Sequence, residues 1–217
     1  MGEGRMDFDY GHQISNEHFF EFNAFTLLLQ IFWWSIRHTA GTLPLCFIII
    51  TMNWNQLKNK IYVWDGGWLD IYVHSTCSND WKIWSDYVNQ NFKIDWYNGK
   101  SERDEFKIDF SVIEEYWNGN HELCSTAKVF IDENIQVNAH FFDDEEIEND
   151  IDPREFKNID DHNKLIEFLK GLSKKLEKEV TVTPENCPEI VLIKIKGESV
   201  EINVNGESKK WPLRIKK

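Results

Sequence analysis

Two histidines close similar runs in this chain. His74 ends Leu-Asp-Ile-Tyr-Val-His at residues 69–74, and His140 ends Ile-Gln-Val-Asn-Ala-His at residues 135–140. Imidazole titrates near neutral pH and is the commonest general acid or base. With Asp70 to orient it and Cys77 as a thiol nucleophile, such a histidine could support a small hydrolase-like activity. That chemistry needs base, nucleophile and orienting group within hydrogen-bond reach of one another, which sequence alone does not supply. There is no phosphate-binding glycine loop, no H-E-x-x-H and no G-x-S-x-G. The sequence therefore calls for no cofactor and no metal, and an enzyme using His74 and His140 stands as the alternative to a binding protein.

Two other features suit binding. Asp143, Asp144, Glu145, Glu146, Glu148, Asp150 and Asp152 form a dense acidic run with no base among them. Unpaired carboxylates resist burial, so the run is expected as a surface loop. Its focused negative potential would attract a cationic partner. It lacks the glycine and the flanking helices of a calcium-binding EF-hand loop. The second feature is Trp64, Trp68, Asp70, Tyr72 and His74, with Trp96 as a neighbour. Rigid aromatic rings around polar groups are the composition of a contact surface.

The whole composition points the same way. Acids number 37 against 24 bases, a net charge of −13 that disfavours sequence-independent binding to nucleic-acid phosphates. Hydrophobic residues at 41% and aromatic residues at 14% suffice for a packed core. Cys46, Cys77, Cys124 and Cys187 lie far apart, without the close spacing of a zinc site or the density of a disulfide scaffold. Four isolated thiols read as reduced residues of a cytoplasmic protein.

The elements that must position these residues follow from periodicity. Residues 61–64 and 68–74 flank Asp65-Gly66-Gly67, which predicts a hairpin whose second strand turns Leu69, Ile71 and Val73 inward. Ser78 is placed to cap a helix carrying Trp81, Trp84 and Val88. Strands are predicted at 92–97 and 106–110, the two copies of Phe-Lys-Ile-Asp, then a short helix at 111–117. The plan then restarts with strands at 127–131 and 135–142. The acidic loop leads to an amphipathic helix at about 160–178, and strands at 179–183, 190–196 and 200–204 finish the chain. The expected fold class is α+β, antiparallel sheet backed by helices, with β-β-α-β-β halves at about 52–120 and 121–217.

Residues 1–51 differ in kind. Two apolar runs, 24–36 and 43–50, are separated by Arg37 and His38 and broken by Pro44, so neither reaches membrane-span length. The segment reads as a membrane anchor, as a buried N-terminal helix, or as lying outside a functional protein that starts at Met52. The third reading is favoured slightly. The first would make the chain a membrane-tethered accessory protein.

The stretch IYVWDGGWLDIYVHSTCSNDWKIWSDYVN, followed by an acidic second half, resembles the small acidic immunity proteins of bacterial contact-dependent and polymorphic toxin systems. The likeness lies in size, charge and style over residues 52–217, and it transfers no family residues. It implies a non-catalytic inhibitor that docks on a basic toxin domain.

Overall fold

The computed structural model describes residues 53–203, and the segment 1–51 lies outside them. Helix α1 (Trp54–Lys60) opens on a reciprocal cap. Asn53 accepts the Gln56 N–H at 3.0 Å, and the Gln56 side chain accepts the Asn53 N–H at 3.2 Å. The helix carries into residues that were expected to form a strand. The Ile61 N–H bonds back to the Leu57 carbonyl at 2.8 Å. Tyr62 stacks on Phe156 with centroids 4.4 Å apart. Residues 61–64 are therefore no strand, because capping and burial take Ile61 and Tyr62 first. Asp65-Gly66-Gly67 does turn the chain, with Gly66 at φ +106° and the Gly67 N–H on Asp65 Oδ1. It leads into β1 from a loop, and no hairpin forms.

The remaining elements are β1 (Leu69–His74), α2 (Ser78–Asn91), β2 (Lys93–Asn98), β3 (Arg103–Glu105), α3 (Phe110–Trp117), β4 (Thr126–Asp132), β5 (Ile135–Ala139), β6 (Glu146–Ile151), α4 (Ile159–Leu176), β7 (Val180–Pro184), β8 (Ile193–Lys196) and β9 (Ser199–Ile202). The strands form one antiparallel sheet in the order β3-β2-β4-β5-β6-β1-β7-β8-β9. The fold is α+β, an antiparallel sheet backed by helices. Strand β1 lies between β6 and β7, so the earliest strand joins two meanders formed later in the chain, and strands of the two expected halves interleave in one sheet.

Helix α4 packs on β4, β7 and β8, while α2 packs on α4 and β2. The core is shared by these helices and one face of the sheet. Trp81, Trp84 and Val88 of α2 and Leu165, Phe168, Leu169 and Leu172 of α4 meet Ile71, Val73, Val137, Ile147, Val182 and Ile193. Two polar side chains in this core are tied down: Trp84 Nε1 donates to Asn149 Oδ1 at 3.2 Å, and the Tyr87 hydroxyl donates to the Phe168 carbonyl at 3.1 Å, whereas Trp96 Nε1 and Ser85 Oγ are buried without a partner among the described residues.

Four further expectations are corrected. The acidic run is only partly a loop, since Glu146–Ile151 is the central strand β6. Its alternation sends Ile147, Asn149 and Ile151 into the core and leaves the carboxylates on the opposite face. No strand forms at 106–110. Asn89 binds the Ile108 backbone through both amide atoms, at 2.8 and 2.9 Å, and Asp109 caps α3. The partner of β2 there is the short β3, with Trp96 opposite Glu105. Helix α2 is capped at Cys77, not Ser78, with the Cys77 N–H on Asp80 Oδ2 at 3.0 Å. Trp96 is fully buried and faces the core, so it does not join the aromatic surface.

Candidate functional site

The β1–β6 register brings together the two binding features that the sequence presents separately. Asp70 stands opposite Asp150, Tyr72 opposite Glu148 and His74 opposite Glu146. Directly paired residues of antiparallel strands share a face, here the one turned away from the α2–α4 layer. Strand β5 adds Asn138, opposite Asp150, and His140 just past its end. Strand β7 adds Thr183 opposite Asp70 and Thr181 opposite Tyr72. The face therefore spans four adjacent central strands, a stiff support for side chains.

Its polar groups are ordered by one another. Tyr72 donates its hydroxyl to Asp70 Oδ2 at 2.9 Å and lies 3.4 Å from Glu148 Oε1. Asp70 Oδ2 also accepts the Asn186 N–H at 2.7 Å, from the β7–β8 loop. His140 Nε2 and Asn138 Nδ2 each reach Asp150 at 2.7 Å. His74 pairs with Glu146. Each histidine also lies flat on an aromatic ring, His74 on Tyr72 at 5.5 Å and His140 on Phe142 at 5.4 Å.

Electrostatics follow from this crowding. Burial raises the Asp70 carboxyl, helped by Asp150 and Glu185 and opposed by the hydrogen bonds from Asn186 and Tyr72. Burial, then the nearby Asp70 and Glu146, raise Glu148. Burial and the hydrogen bond to Asp70 push the Tyr72 phenol far up, so it stays protonated. His140 is raised by its hydrogen bond to Asp150, against the cost of burial. Among the described residues, no Lys or Arg forms an ion pair with Asp70, Glu146, Glu148 or Asp150. The face holds four carboxylates against two histidines.

Not every residue singled out from sequence joins it. Asp143, Asp144 and Glu145 lie in the loop before β6, where Asp143 Oδ1 accepts the Glu145 N–H at 2.9 Å. Backbone carbonyls of this loop bond Thr76, which holds it beside the end of β1. Trp68 is half-buried just before β1 and is tied to Glu185 by its backbone. Trp64 lies outside the strand with the Arg154 guanidinium 3.8 Å above its ring. Cys77 sits at the head of α2 with its thiol on Asp80, and neither histidine bonds it. Asn138, Thr181 and Thr183 were not singled out from sequence. The alternating Val-Thr-Val-Thr of residues 180–183 was the available signal.

Among the described residues no group of His, Cys, Asp and Glu is arranged to hold a metal ion. None of their helices is long and apolar enough to cross a membrane. Comparison with family models, with curated proteins and with solved structures finds no match.

Proposed function

We propose that the chain is a non-catalytic protein-binding module of the inhibitor or immunity type, acting in the cytoplasm by docking its acidic sheet face onto a basic partner such as a toxin domain. The supporting observation is the cross-strand register that sets Asp70, Tyr72 and His74 beside Glu146, Glu148 and Asp150. Carboxylates without Lys or Arg partners leave unspent attraction, and a cationic surface that pairs with them speeds association and fixes register. Tyr72 and Asp70 are buried, at 5% and 4% exposure, so the contact area on this face comes from His74, His140 and Phe142, whose flat rings cost little entropy to order. Phe142 is 62% exposed and Asp143, Asp144 and Glu145 lie next in sequence, so the loop extends the same surface.

The test is affinity capture from a lysate of the native host on the immobilised full chain, with elution by a salt gradient. The expected result is retention of a basic protein that salt releases and that a Glu146→Gln, Glu148→Gln, Asp150→Asn variant fails to hold. Equal retention by that folded variant would exclude the face as the interface.

A further inference from the structure

Segment 204–217 and the acidic face are complementary in charge. Over those fourteen residues Lys209, Lys210, Arg214, Lys216 and Lys217 stand against the single acid Glu207. The face has the opposite balance. Glu146, Glu148 and Asp150 remain partly open to solvent, and Asp143 and Glu145 of the adjoining loop are exposed. Segment 1–51 offers no such match, with five acids against two bases. The register also starts segment 204–217 beside the face. Ile202 of β9 is in line with Ile193, Val182, Ile71 and Asn149 across the sheet. Asn203 therefore leaves the sheet on the row of Thr183, Asp70 and Asp150. Val200 and Ile202 pack on the core, so by alternation Glu201 and Asn203 belong to the acidic side.

Resting on the acidic surface proposed above, we infer that segment 204–217 docks on this face of its own chain and occupies it until a basic partner displaces it. Four strand spacings separate β9 from β6, about 19 Å at about 4.8 Å each. Lys209 lies six residues past Asn203, about 20 Å of extended chain before its own side chain is added. Lys209 and Lys210 therefore reach Glu148 and Asp150, and Arg214, Lys216 and Lys217 reach Glu146 and the loop at Asp143, Asp144 and Glu145. Two more exposed acids, Glu185 and Glu189, lie at the start of this path, on the β7–β8 loop whose Asn186 N–H binds Asp70. The contacts are with the solvent-open carboxylates, so the buried Asp70, Tyr72 and Thr181 stay covered. A short tether holds a segment at about millimolar effective concentration, so several individually weak, exposed ion pairs suffice together.

The test is zero-length carbodiimide cross-linking of the full chain, which joins a lysine amine to a carboxylate only where the two touch, with the joined peptides read by mass spectrometry. The expected product has monomer size and joins Lys209 or Lys210 to Glu146, Glu148, Asp143, Asp144 or Glu145. Its yield falls about fivefold or more when salt is raised to about 0.5 M. In parallel, the NMR amide shifts of residues 142–150 move in a Lys209→Gln, Lys210→Gln, Arg214→Gln variant. They stay in place in a Lys58→Gln, Lys60→Gln variant, whose exposed lysines lie on α1. Cross-links confined to dimer-size products would make a second copy the occupant and overturn the inference. So would the absence of cross-links to this face, or shifts that the triple variant leaves unmoved. Salt-labile capture of a basic protein by a chain without these cross-links would remove the self-docking and leave the surface standing. Self-docking without any captured partner would keep this inference and remove the partner.

Discussion

His162 shows how one residue ties the start of the described chain to its longest helix. It is buried on α4, with Nδ1 2.8 Å from the Tyr62 hydroxyl, and burial lowers its pKa to about 4. The neutral form therefore supports the fold above the ordinary value near 6.5, and that support is lost as pH falls through about 4. Denaturant titrations should show a loss on the order of 3 kcal/mol across this window, absent from His162→Phe. An identical acid limb in the variant would contradict the assignment. His140 has the opposite sign. Its folded value is raised, so its contribution to stability is present below about 6.5 and disappears as pH rises through the raised value. The same deprotonation makes the acidic face one charge more negative. Capture of a basic partner should tighten about threefold as pH rises through that value, and this dependence should weaken in His140→Gln. The sequence already showed His74 and His140 at equivalent strand ends. It did not show that both turn to carboxylates of β6, because that strand was hidden inside the acidic run.

Element by element, the segments with a strong apolar period were legible. Helices α2 and α4, strands β2, β7 and β8 and the β4–β5 hairpin form near where their spacing places them. Strand β6 was missed because seven acids in ten residues read as a solvated connection, although Ile147 and Ile151 keep strict alternation with Asn149 between them. Charge masked the period. The opposite error occurred at residues 61–64, where β-branched and aromatic types suggested a strand and the cap at Asn53 drew the segment into a helical end. Helix crossing supplies a sharper constraint than either. A Cβ at Gly171 on α4 would overlap the Tyr87 hydroxyl and lie 2.8 Å from Tyr87 Cζ on α2. Gly171→Ala should cost about 1–3 kcal/mol in urea melts, and Tyr87→Phe in the same chain should recover part of it. Full stability in the single variant would mean that the helices slide apart without penalty. At β6, Asn149→Ala strips the Trp84 indole N–H of its acceptor and should cost about 1–3 kcal/mol by the same measurement.

For the molecule as a whole, the charge excess is visible in the sequence, but its location was not legible. Composition gave an acidic protein; only strand order puts β1 beside β6 and so gathers Asp70, Glu146, Glu148 and Asp150. A sheet order of this kind joins residues more than seventy positions apart, and no local pattern encodes it. The described helices α2 and α4 pack on the other face of the sheet, so the stiffest part of the fold carries these acids, Glu146 and Asp150 being paired with histidines and none with Lys or Arg among the described residues. Attraction of this origin is screened by salt with a Debye length of about 10 Å at 0.1 M. The most direct measurement is therefore the dissociation constant of the captured basic protein as a function of salt, for the full chain and for the Glu146→Gln, Glu148→Gln, Asp150→Asn variant. Between about 0.05 and 0.5 M salt the natural chain should lose at least about tenfold in affinity, while the variant starts weak and changes little. Matching curves for the two proteins, or tight binding that salt leaves untouched, would contradict an acidic sheet face as the functional surface.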